Sequence, residues 1–408
     1  MRKKFPLFAF ACAVCARAET AAVLPFGNAS GAAQSAASLD WIGESIAETV
    51  RDALSSHRIL TIDREDIQET YRRLNLRERA VLTQASVIKT GEAVDAEQVI
   101  YGTFEFQPWA SPPPSSVPAP APAIRGSIKI SARVVDRRRM RETPEFDETG
   151  ALDDLATLEA HLAWRTLALI APKLAPAESE FRALRPAIRL DAEENYIRGL
   201  MAKSPEQREK YFAQSARLDA RFGRPCFQLG RISYQRKEYR QAADWLEKVP
   251  PEDVGYHQAS FLLGLARFQA ADYAAAQKAF ETVAAAVPLS AVLNNVAAAE
   301  SRRNLPQAVD DFRKALDGDA NDPVYHFNTG YALWKKGDFA AAADRFRAAL
   351  DRDPNDQMAT LLLGRCLKKQ GLRADPADAR LQNLERLKTD FEEKAYLQLK
   401  SLMDEKNK

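Results

Sequence analysis

The side chains that most often carry out catalysis or bind metals are few in this chain of 408 residues, and they lie far apart. Its histidines are His57, His161, His257 and His326. No histidine has a second ligand-type residue at metal-site spacing, and the sequence has no GxxxxGK, HExxH or GxSxG motif. Ser35 and Ser45 lack the turn that presents a nucleophile. We therefore predict no catalytic residue, no metal and no cofactor, and we interpret the histidines as structural.

Residues 1–18 are predicted to be a secretory signal peptide. Three basic residues at positions 2–4 precede an apolar run at residues 5–16, and Ala16-Arg17-Ala18 fits the small-residue cleavage pattern. The run is too short to span a membrane, and no later stretch of the sequence has the length and hydrophobicity of a span. We therefore expect a periplasmic or secreted protein, with lipid attachment to a cysteine of the apolar run as the alternative.

Removal of residues 1–18 leaves a nearly neutral protein. The full sequence has 58 basic and 56 acidic side chains, and the removed segment contains four basic residues and no acidic one, so the balance becomes 54 to 56. A nucleic-acid-binding protein needs a basic surface, which argues against that class. Cys226 and Cys366 are the cysteines that remain, and we interpret them as buried apolar residues rather than as a disulfide.

A ladder of similar residues repeats about every 34 positions through the second half of the chain. Its members are Gly230, Gly264, Ala297, Gly330 and Gly364, then Tyr239, Tyr273 and Phe339, then Ala242, Ala276 and Ala342. The most regular copy spans residues 323–356 and reads PVYHFNTGYALWKKGDFAAAADRFRAALDRDPND. Small residues at fixed spacing permit two helices to cross closely, and rings fill the space between neighbouring pairs. The ladder therefore predicts stacked pairs of helices.

This ladder resembles the tetratricopeptide repeat. The resemblance implies repeats over residues 191–376, preceded by a linker at residues 177–190. Such units stack into an all-α superhelix with a concave groove, and they bind proteins or peptides far more often than they catalyse reactions. The charged residues 377–408 carry apolar side chains at Leu381 and Phe391, and we expect them to form a helix that caps the last repeat.

The resemblance also implies which side chains line the groove, because certain positions of each first helix usually face it. The implied partner-binding residues are Arg231, Tyr234, Gln235, Phe268, Gln269, Asn294, Arg302, Phe327, Tyr331, Trp334, Lys335, Arg365, Lys368 and Lys369. Rings can bury the apolar side chains of a peptide, while polar groups bind its main chain and carboxylates. Lys335, Lys368 and Lys369 favour an acidic partner segment. The alternative interpretation is a solvated inner face.

Residues 19–176 have a different pattern, in which short apolar runs alternate with amphipathic stretches. The predicted order β-α-β-α-α-β-β-β-α indicates an α+β or α/β domain, with a small mixed sheet and helices on one face. Between strands predicted at residues 98–106 and 127–136 lies a proline-rich insertion at residues 108–123. Because proline interrupts helices and sheet interiors, we expect a mobile insertion at the tip of a hairpin.

Five stretches of this domain resemble the amino-terminal domain of TolB. They are Val23-Leu24-Pro25-Phe26, Leu39-Asp40-Trp41-Ile42-Gly43, Ile62-Asp63-Arg64, Tyr101-Gly102 and Arg133-Val134-Val135-Asp136. Related domains precede tetratricopeptide repeats in many bacterial envelope and regulatory proteins, so the resemblance implies a role in the cell envelope. Trp41 is interpreted as a core ring beside a helix cap, or alternatively as an exposed aromatic at a partner site.

Together these features predict a multidomain, non-enzymatic scaffold that binds a protein or peptide segment in the groove of its repeats. An alternative is a regulatory effector of an envelope or cell-wall-synthesis complex. A third possibility is an enzyme whose site lies in the first domain without a recognisable motif. None of the three requires nucleic acid or a membrane span.

Cleavage after Ala18 gives the first testable prediction. Amino-terminal sequencing of the protein recovered from the periplasm or the medium should begin at Glu19. Exported protein that retains Met1 would contradict the prediction.

Overall fold

The computed structural model describes residues 20–30, 39–77, 80–109, 125–185, 187–373, 376–393, 395–397 and 400. The predicted signal peptide and residues 110–123 of the proline-rich insertion lie outside these ranges. The described residues form a mixed α/β domain followed by paired helices, as the composition of the two halves predicts. Among the helices of these ranges, none combines the length and apolar content that a membrane span requires.

Seven described strands form one mixed sheet in the amino-terminal domain. They are β1 (Thr20–Val23), β2 (Gly27–Asn28), β3 (Leu60–Thr61), β4 (Gln98–Pro108), β5 (Gly126–Asp136), β6 (Arg141–Glu142) and β7 (Phe146–Ala151). β1 lies between β3 and β4 and is parallel to both, while β5 pairs antiparallel with β4, β6 and β7. The β4–β5 pairing runs from Gln98 opposite Asp136 to Pro108 opposite Gly126, so the insertion leaves the sheet at the end of this hairpin.

Helices cover both faces of this sheet, which corrects the prediction of helices on one face. The helices are α1 (Trp41–Ser56), α2 (Arg64–Arg73), α3 (Gln84–Ala93), α4 (Leu155–Ile170) and α5 (Glu178–Ala183). Ala21 and Val23 of β1 belong to the core formed with α1 and α4, whereas Ala22 and Leu24 pack with α2 and α3. Alternate residues of a strand point to opposite faces, so β1 must be apolar on both. Trp41 is buried, as expected for a core ring.

The second half consists of helix pairs. They are α6 (Leu190–Met201) with α7 (Pro205–Leu218), α8 (Gly223–Gln235) with α9 (Tyr239–Leu246), α10 (Tyr256–Gln269) with α11 (Tyr273–Ala286), α12 (Ser290–Arg302) with α13 (Ala308–Gly318), and α14 (Pro323–Lys335) with α15 (Phe339–Arg352), before α16 (Gln357–Leu367). The ladder glycines allow the close approach within each pair. A Cβ at Gly264 would lie 2.6 Å from the Phe280 ring, and one at Gly330 would lie 3.1 Å from the Phe346 ring.

Buried polar groups link α1 to α4 within the first domain and to α6 of the helix pairs. Thr49 of α1 donates to Glu159 of α4 at 2.8 Å, and Ser45 of α1 donates to Glu193 of α6 at 3.0 Å. Burial raises the pKa of the Glu159 carboxyl well above its ordinary value, and the neighbouring Glu193 raises it further. The protonated form of Glu159 is therefore favoured by folding.

Residues 377–392 of the predicted capping helix are not α-helical, whereas residues 393, 395–397 and 400 are. Pro376–Leu381 is a short 3-10 turn, and residues 382–392 have no regular helix or strand hydrogen bonding. The chain instead runs as an open segment back along the helices of the repeats, where Leu384, Leu387 and Phe391 pack on the apolar core of α10–α16. Tertiary contacts have overridden the helical spacing of these apolar residues.

Replacement of Glu159 should change how stability depends on pH. A carboxyl whose folded-state pKa is raised stabilises the fold below its ordinary pKa, and this contribution is lost as pH rises through the folded-state value. Glu159→Gln keeps an acceptor for Thr49 and does not titrate. We therefore expect this variant to melt a few degrees above wild type at pH 8, the shift that about 1 kcal/mol produces, with a smaller difference at pH 5.

Calorimetric melting of both proteins at the two pH values checks this expectation. Glu105→Gln removes the same charge from an exposed position on β4 and is the matched control. A Glu159→Gln variant that melts below wild type at pH 8 would contradict the argument.

Candidate protein-binding groove

The first helices of the last repeats form one wall, and part of the same chain lies against it. The contacting helices are α10, α12, α14 and α16. Residues 382–393, here called the C-terminal segment, run along this wall from α16 towards α10. These helices therefore already contact an open length of polypeptide from their own chain.

Asparagines hold the main chain of the C-terminal segment. Asn328 Nδ2 donates to the carbonyl oxygen of Arg386 at 2.7 Å, and the Arg386 N–H donates to Asn328 Oδ1 at 2.9 Å. Asn295 makes the same paired contact with Lys388, at 2.8 Å in both directions. Asn294 adds a third donor, with Nδ2 3.0 Å from the Arg386 carbonyl oxygen. These amides satisfy main-chain groups that a strand would otherwise pair in a sheet.

Arg386 is bound through both its charge and its planar shape. Nη1 and Nη2 donate to the two carboxylate oxygens of Asp356 at 2.6 and 2.9 Å. The guanidinium also lies 3.4 Å from the centroid of the Phe327 ring, which adds a cation–π contact. Burial tends to raise the pKa of Asp356, but Arg386 and the N–H groups at the start of α16 outweigh it, so the net shift is downward. Asp356 is therefore a charged receptor for an arginine.

Lys388 repeats this arrangement one helix pair earlier. Its Nζ donates to Asp322 Oδ2 at 2.6 Å and lies 5.7 Å from the centroid of the Tyr325 ring. Asp322 also accepts from the Val324 N–H at 2.8 Å, so it caps the start of α14. Asp356 caps α16 in the same way. Each aspartate therefore serves both as a helix cap and as the receptor for a basic side chain.

Glu385 occupies a basic hole between α12 and α14. Its side chain is fully buried and forms ion pairs with Arg302 and Lys335, the latter with Nζ 3.3 Å from Oε1. Ser301 donates its hydroxyl to the same carboxylate at 2.6 Å. Arg302 Nη2 also donates to the carbonyl oxygen of Asn383 at 2.6 Å. A buried carboxylate requires such partners, so this hole selects an acidic residue next to the arginine.

An aromatic and an acidic side chain continue the contact at α10. The Phe391 ring stacks on Phe261, with centroids 4.9 Å apart and ring planes 14° from parallel. Glu393 Oε1 lies 2.6 Å from His257 Nδ1. The hydrogen bond with Glu393 raises the pKa of the His257 imidazole, although partial burial opposes this change.

The groove residues predicted from the sequence fall into two groups. Those with a contact to residues 370–393 are Asn294, Arg302, Phe327, Tyr331, Trp334, Lys335 and Arg365. Phe268 lies beneath Arg302, with the guanidinium 5.1 Å from its ring centroid. The others make no polar contact with the described part of that stretch: Arg231, Tyr234, Gln235, Gln269, Lys368 and Lys369.

Trp334 and Tyr331 are buried rather than open to a partner. Trp334 is 1% exposed and donates Nε1 to the carbonyl oxygen of Gln370 at 2.9 Å. Tyr331 is also 1% exposed and donates its hydroxyl to the Leu381 carbonyl oxygen at 2.8 Å. Arg365 pairs with Asp378 of the 3-10 turn. These side chains hold the connection that brings the C-terminal segment into the groove.

Several residues that contact the segment were absent from the predicted set. They are Asp322, Asp356, His257, Tyr325, Asn295 and Asn328. The two aspartates carry a detectable sequence feature, since each directly precedes a first helix. Lys368 and Lys369 are exposed, so they give the groove no basic floor. The acidic partner expected from the lysines stays a prediction. The C-terminal segment carries two basic and four acidic side chains, and one of the acidic ones, Glu385, pairs with Lys335.

A comparison with known families agrees with the helix pairs. A model of the family described as "Tetratricopeptide repeat" matches residues 261–323 and 327–383. The chain therefore contains tetratricopeptide repeats, and the prediction made from the residue ladder is confirmed. No protein with a curated description matches the chain significantly. The resemblance of the first domain to TolB stays a prediction.

Two solved structures illustrate the similarity. The chain is similar to MamA (residues 41 to the end) from Desulfovibrio magneticus RS-1, with 23% identity and a TM-score of 0.37, over 42% of this chain and 99% of that one. It is also similar to YrrB, described as "a TPR protein with an unusual peptide-binding site", with 18% identity and a TM-score of 0.34, over 47% of this chain and 91% of that one.

Arg386→Ala should loosen the C-terminal segment. The change removes a bidentate ion pair and a ring contact, and charged hydrogen bonds of this kind contribute about 1.5–3 kcal/mol. We expect the amide hydrogens of Arg386 and Lys388 to exchange at least about tenfold faster than in wild type. Hydrogen exchange read by mass spectrometry after proteolysis measures this change.

Arg380→Ala is the matched control, because Arg380 is an exposed arginine six positions earlier in the same region. Equal exchange in all three proteins would show that the Arg386 contacts do not hold the segment in solution.

Proposed function

We propose that this protein is a non-enzymatic interaction module that binds an extended segment of a protein partner in the groove formed by α10, α12, α14 and α16. Tetratricopeptide-repeat proteins serve as protein–protein interaction scaffolds, and the matched repeats support the same role for this chain. One observation carries the specific proposal. The buried asparagines 295 and 328 each pair with both the N–H and the C=O of one residue of an open chain.

The asparagine contacts explain why the occupant must be extended. In a helix, the N–H and C=O groups of Arg386 and Lys388 would already be satisfied within the helix. Asn295 Nδ2 and Asn328 Oδ1 would then be buried without a partner, since their hydrogen bonds go to the segment, and each such group costs about 1–3 kcal/mol. A helical partner is therefore disfavoured. The groove accepts chains whose main-chain groups are free.

We further propose that the protein acts in the periplasm or outside the cell, where its first domain contacts a second envelope component. The basic and apolar start of the sequence supports export. The TolB-like stretches support an envelope role. Regulation of a cell-wall-synthesis complex is the more specific form of this proposal, and fractionation of the source cells with an antibody to the protein tests the location.

Peptide binding to the full-length protein tests the groove directly. The probe is a fluorescent peptide with the sequence of residues 379–397, ARLQNLERLKTDFEEKAYL. The receptor is the full chain with Arg386→Ala and Lys388→Ala, which weakens the contacts of its own segment. Adding Asn328→Ala removes two neutral hydrogen bonds to the main chain, so we expect roughly tenfold weaker peptide binding.

Asn321→Ala, in the exposed turn before α14, is the matched control and should bind the peptide normally. Circular dichroism must show the same helix content in every variant. If Asn328→Ala leaves the affinity for the peptide unchanged, the binding site lies elsewhere.

A further inference from the structure

We propose that the groove reads a sequence signature of the form acidic–Arg–x–Lys–x–x–aromatic, and that the C-terminal segment is a resident competitor which a partner with this signature must displace. This inference rests on the proposed function of the groove. In this chain the signature is formed by Glu385, Arg386, Lys388 and Phe391. The partner is therefore a protein with an extended segment that presents two basic side chains at alternate positions.

The repeats impose the spacing of the two basic residues. Asn295 and Asn328 occupy the same place in consecutive repeats, the sixth residue of α12 and of α14. They pair with the main chain of Lys388 and Arg386, so one repeat corresponds to two residues of the segment. Two residues is also the period of an extended chain, in which alternate side chains point the same way.

The receptors for the basic side chains follow the same step. Arg386 is held by the asparagine of α14 and reaches the aspartate that caps the first helix of the next pair, α16. Lys388 is held by the asparagine of α12 and reaches the aspartate that caps α14. The same arrangement thus occurs twice, displaced by one repeat. A segment shifted by one residue would place its basic groups away from both carboxylates.

The positions on either side of the basic pair fix the direction and the ends of the signature. Glu385 lies in the buried hole formed by Arg302, Lys335 and Ser301, which would repel a second basic residue. Phe391 stacks on Phe261 at the other end. Between them, Thr389 and Asp390 are exposed and carry no information for the groove.

The C-terminal segment competes because it is attached to the protein that it occupies. A tethered segment faces its groove at an effective concentration of about millimolar. The apparent affinity for an outside segment falls in proportion to the fraction of grooves that are open. A partner therefore needs a better match to the signature, or more contacts outside it, to displace residues 382–393.

Two comparisons test the inference. The first measures one peptide against two full-length proteins: the fluorescent 379–397 peptide should bind the Arg386→Ala, Lys388→Ala protein at least about tenfold more tightly than wild type. The second measures several peptides against the Arg386→Ala, Lys388→Ala protein. Peptides with Arg386→Glu and Lys388→Glu, with Glu385→Lys, or with Phe391→Ala should each bind at least about tenfold more weakly than the parent peptide.

A peptide with Thr389→Ala and Asp390→Ala is the matched control and should bind like the parent. Because the signature changes are made in the peptide, loss of folding in a variant protein cannot produce the result. For the first comparison, circular dichroism checks that the Arg386→Ala, Lys388→Ala protein, here called the opened protein, keeps the helix content of wild type.

The experiments distinguish a failure of the sequence signature or of the resident competitor from a failure of the groove itself. Binding that depends on Asn328 but is equal for all peptides would overturn the signature and leave the groove as the site. Equal binding to wild type and to the opened protein would overturn the resident competitor. A wild-type protein that is dimeric by light scattering, and monomeric once Arg386 and Lys388 are replaced, would place the segment of a second copy in the groove and overturn competition within one chain.

Discussion

The main-chain groups of an extended chain need partners when they are buried, and this constraint explains the design of the groove. A sheet would provide these partners from a neighbouring strand, but a helical wall has no free main-chain groups to offer. Here the side-chain amides of Asn295 and Asn328 take that role, because an amide has both a donor and an acceptor in one plane. The small ladder residues let the helices pack closely enough to hold these amides in fixed positions.

In the proposed binding mode, the charged contacts add selectivity to this main-chain recognition. Asp322 and Asp356 are already fixed by capping α14 and α16, so little side-chain freedom is lost when a basic residue arrives. The planar fork of Arg386 fits the carboxylate of Asp356 in a bidentate manner, whereas the ammonium of Lys388 makes one contact with Asp322. We therefore expect the arginine position to discriminate more strongly than the lysine position.

The repeats could be predicted from the sequence, whereas the path of the chain after them could not. Gly264, Gly330 and their equivalents fix where helices must approach, and the most regular copy was predicted over residues 323–356, where α14 begins at Pro323. In contrast, Leu381, Leu384 and Phe391 have a spacing that suits a helix, and local pattern alone favours one. The open conformation is favoured over a helix because Asn295 and Asn328 bind the main chain of the segment. These contacts join residues about 60 to 90 positions apart, so local pattern cannot predict them.

The same limit explains the errors in the first domain and in the groove. Ala21-Ala22-Val23-Leu24 is apolar without alternation, which is typical of a strand covered on both faces, yet the order of elements alone suggested one layer of helices. In the groove, Asp322 and Asp356 were not predicted as binding residues, because an aspartate directly before a helix is already explained as a helix cap. A capping aspartate can also bind a basic side chain when its carboxylate faces the groove. Its position within the repeat indicates when this is the case. Searching first-helix caps together with the sixth helical residue would find this kind of groove in a sequence, because the two features recur with the period of the repeat.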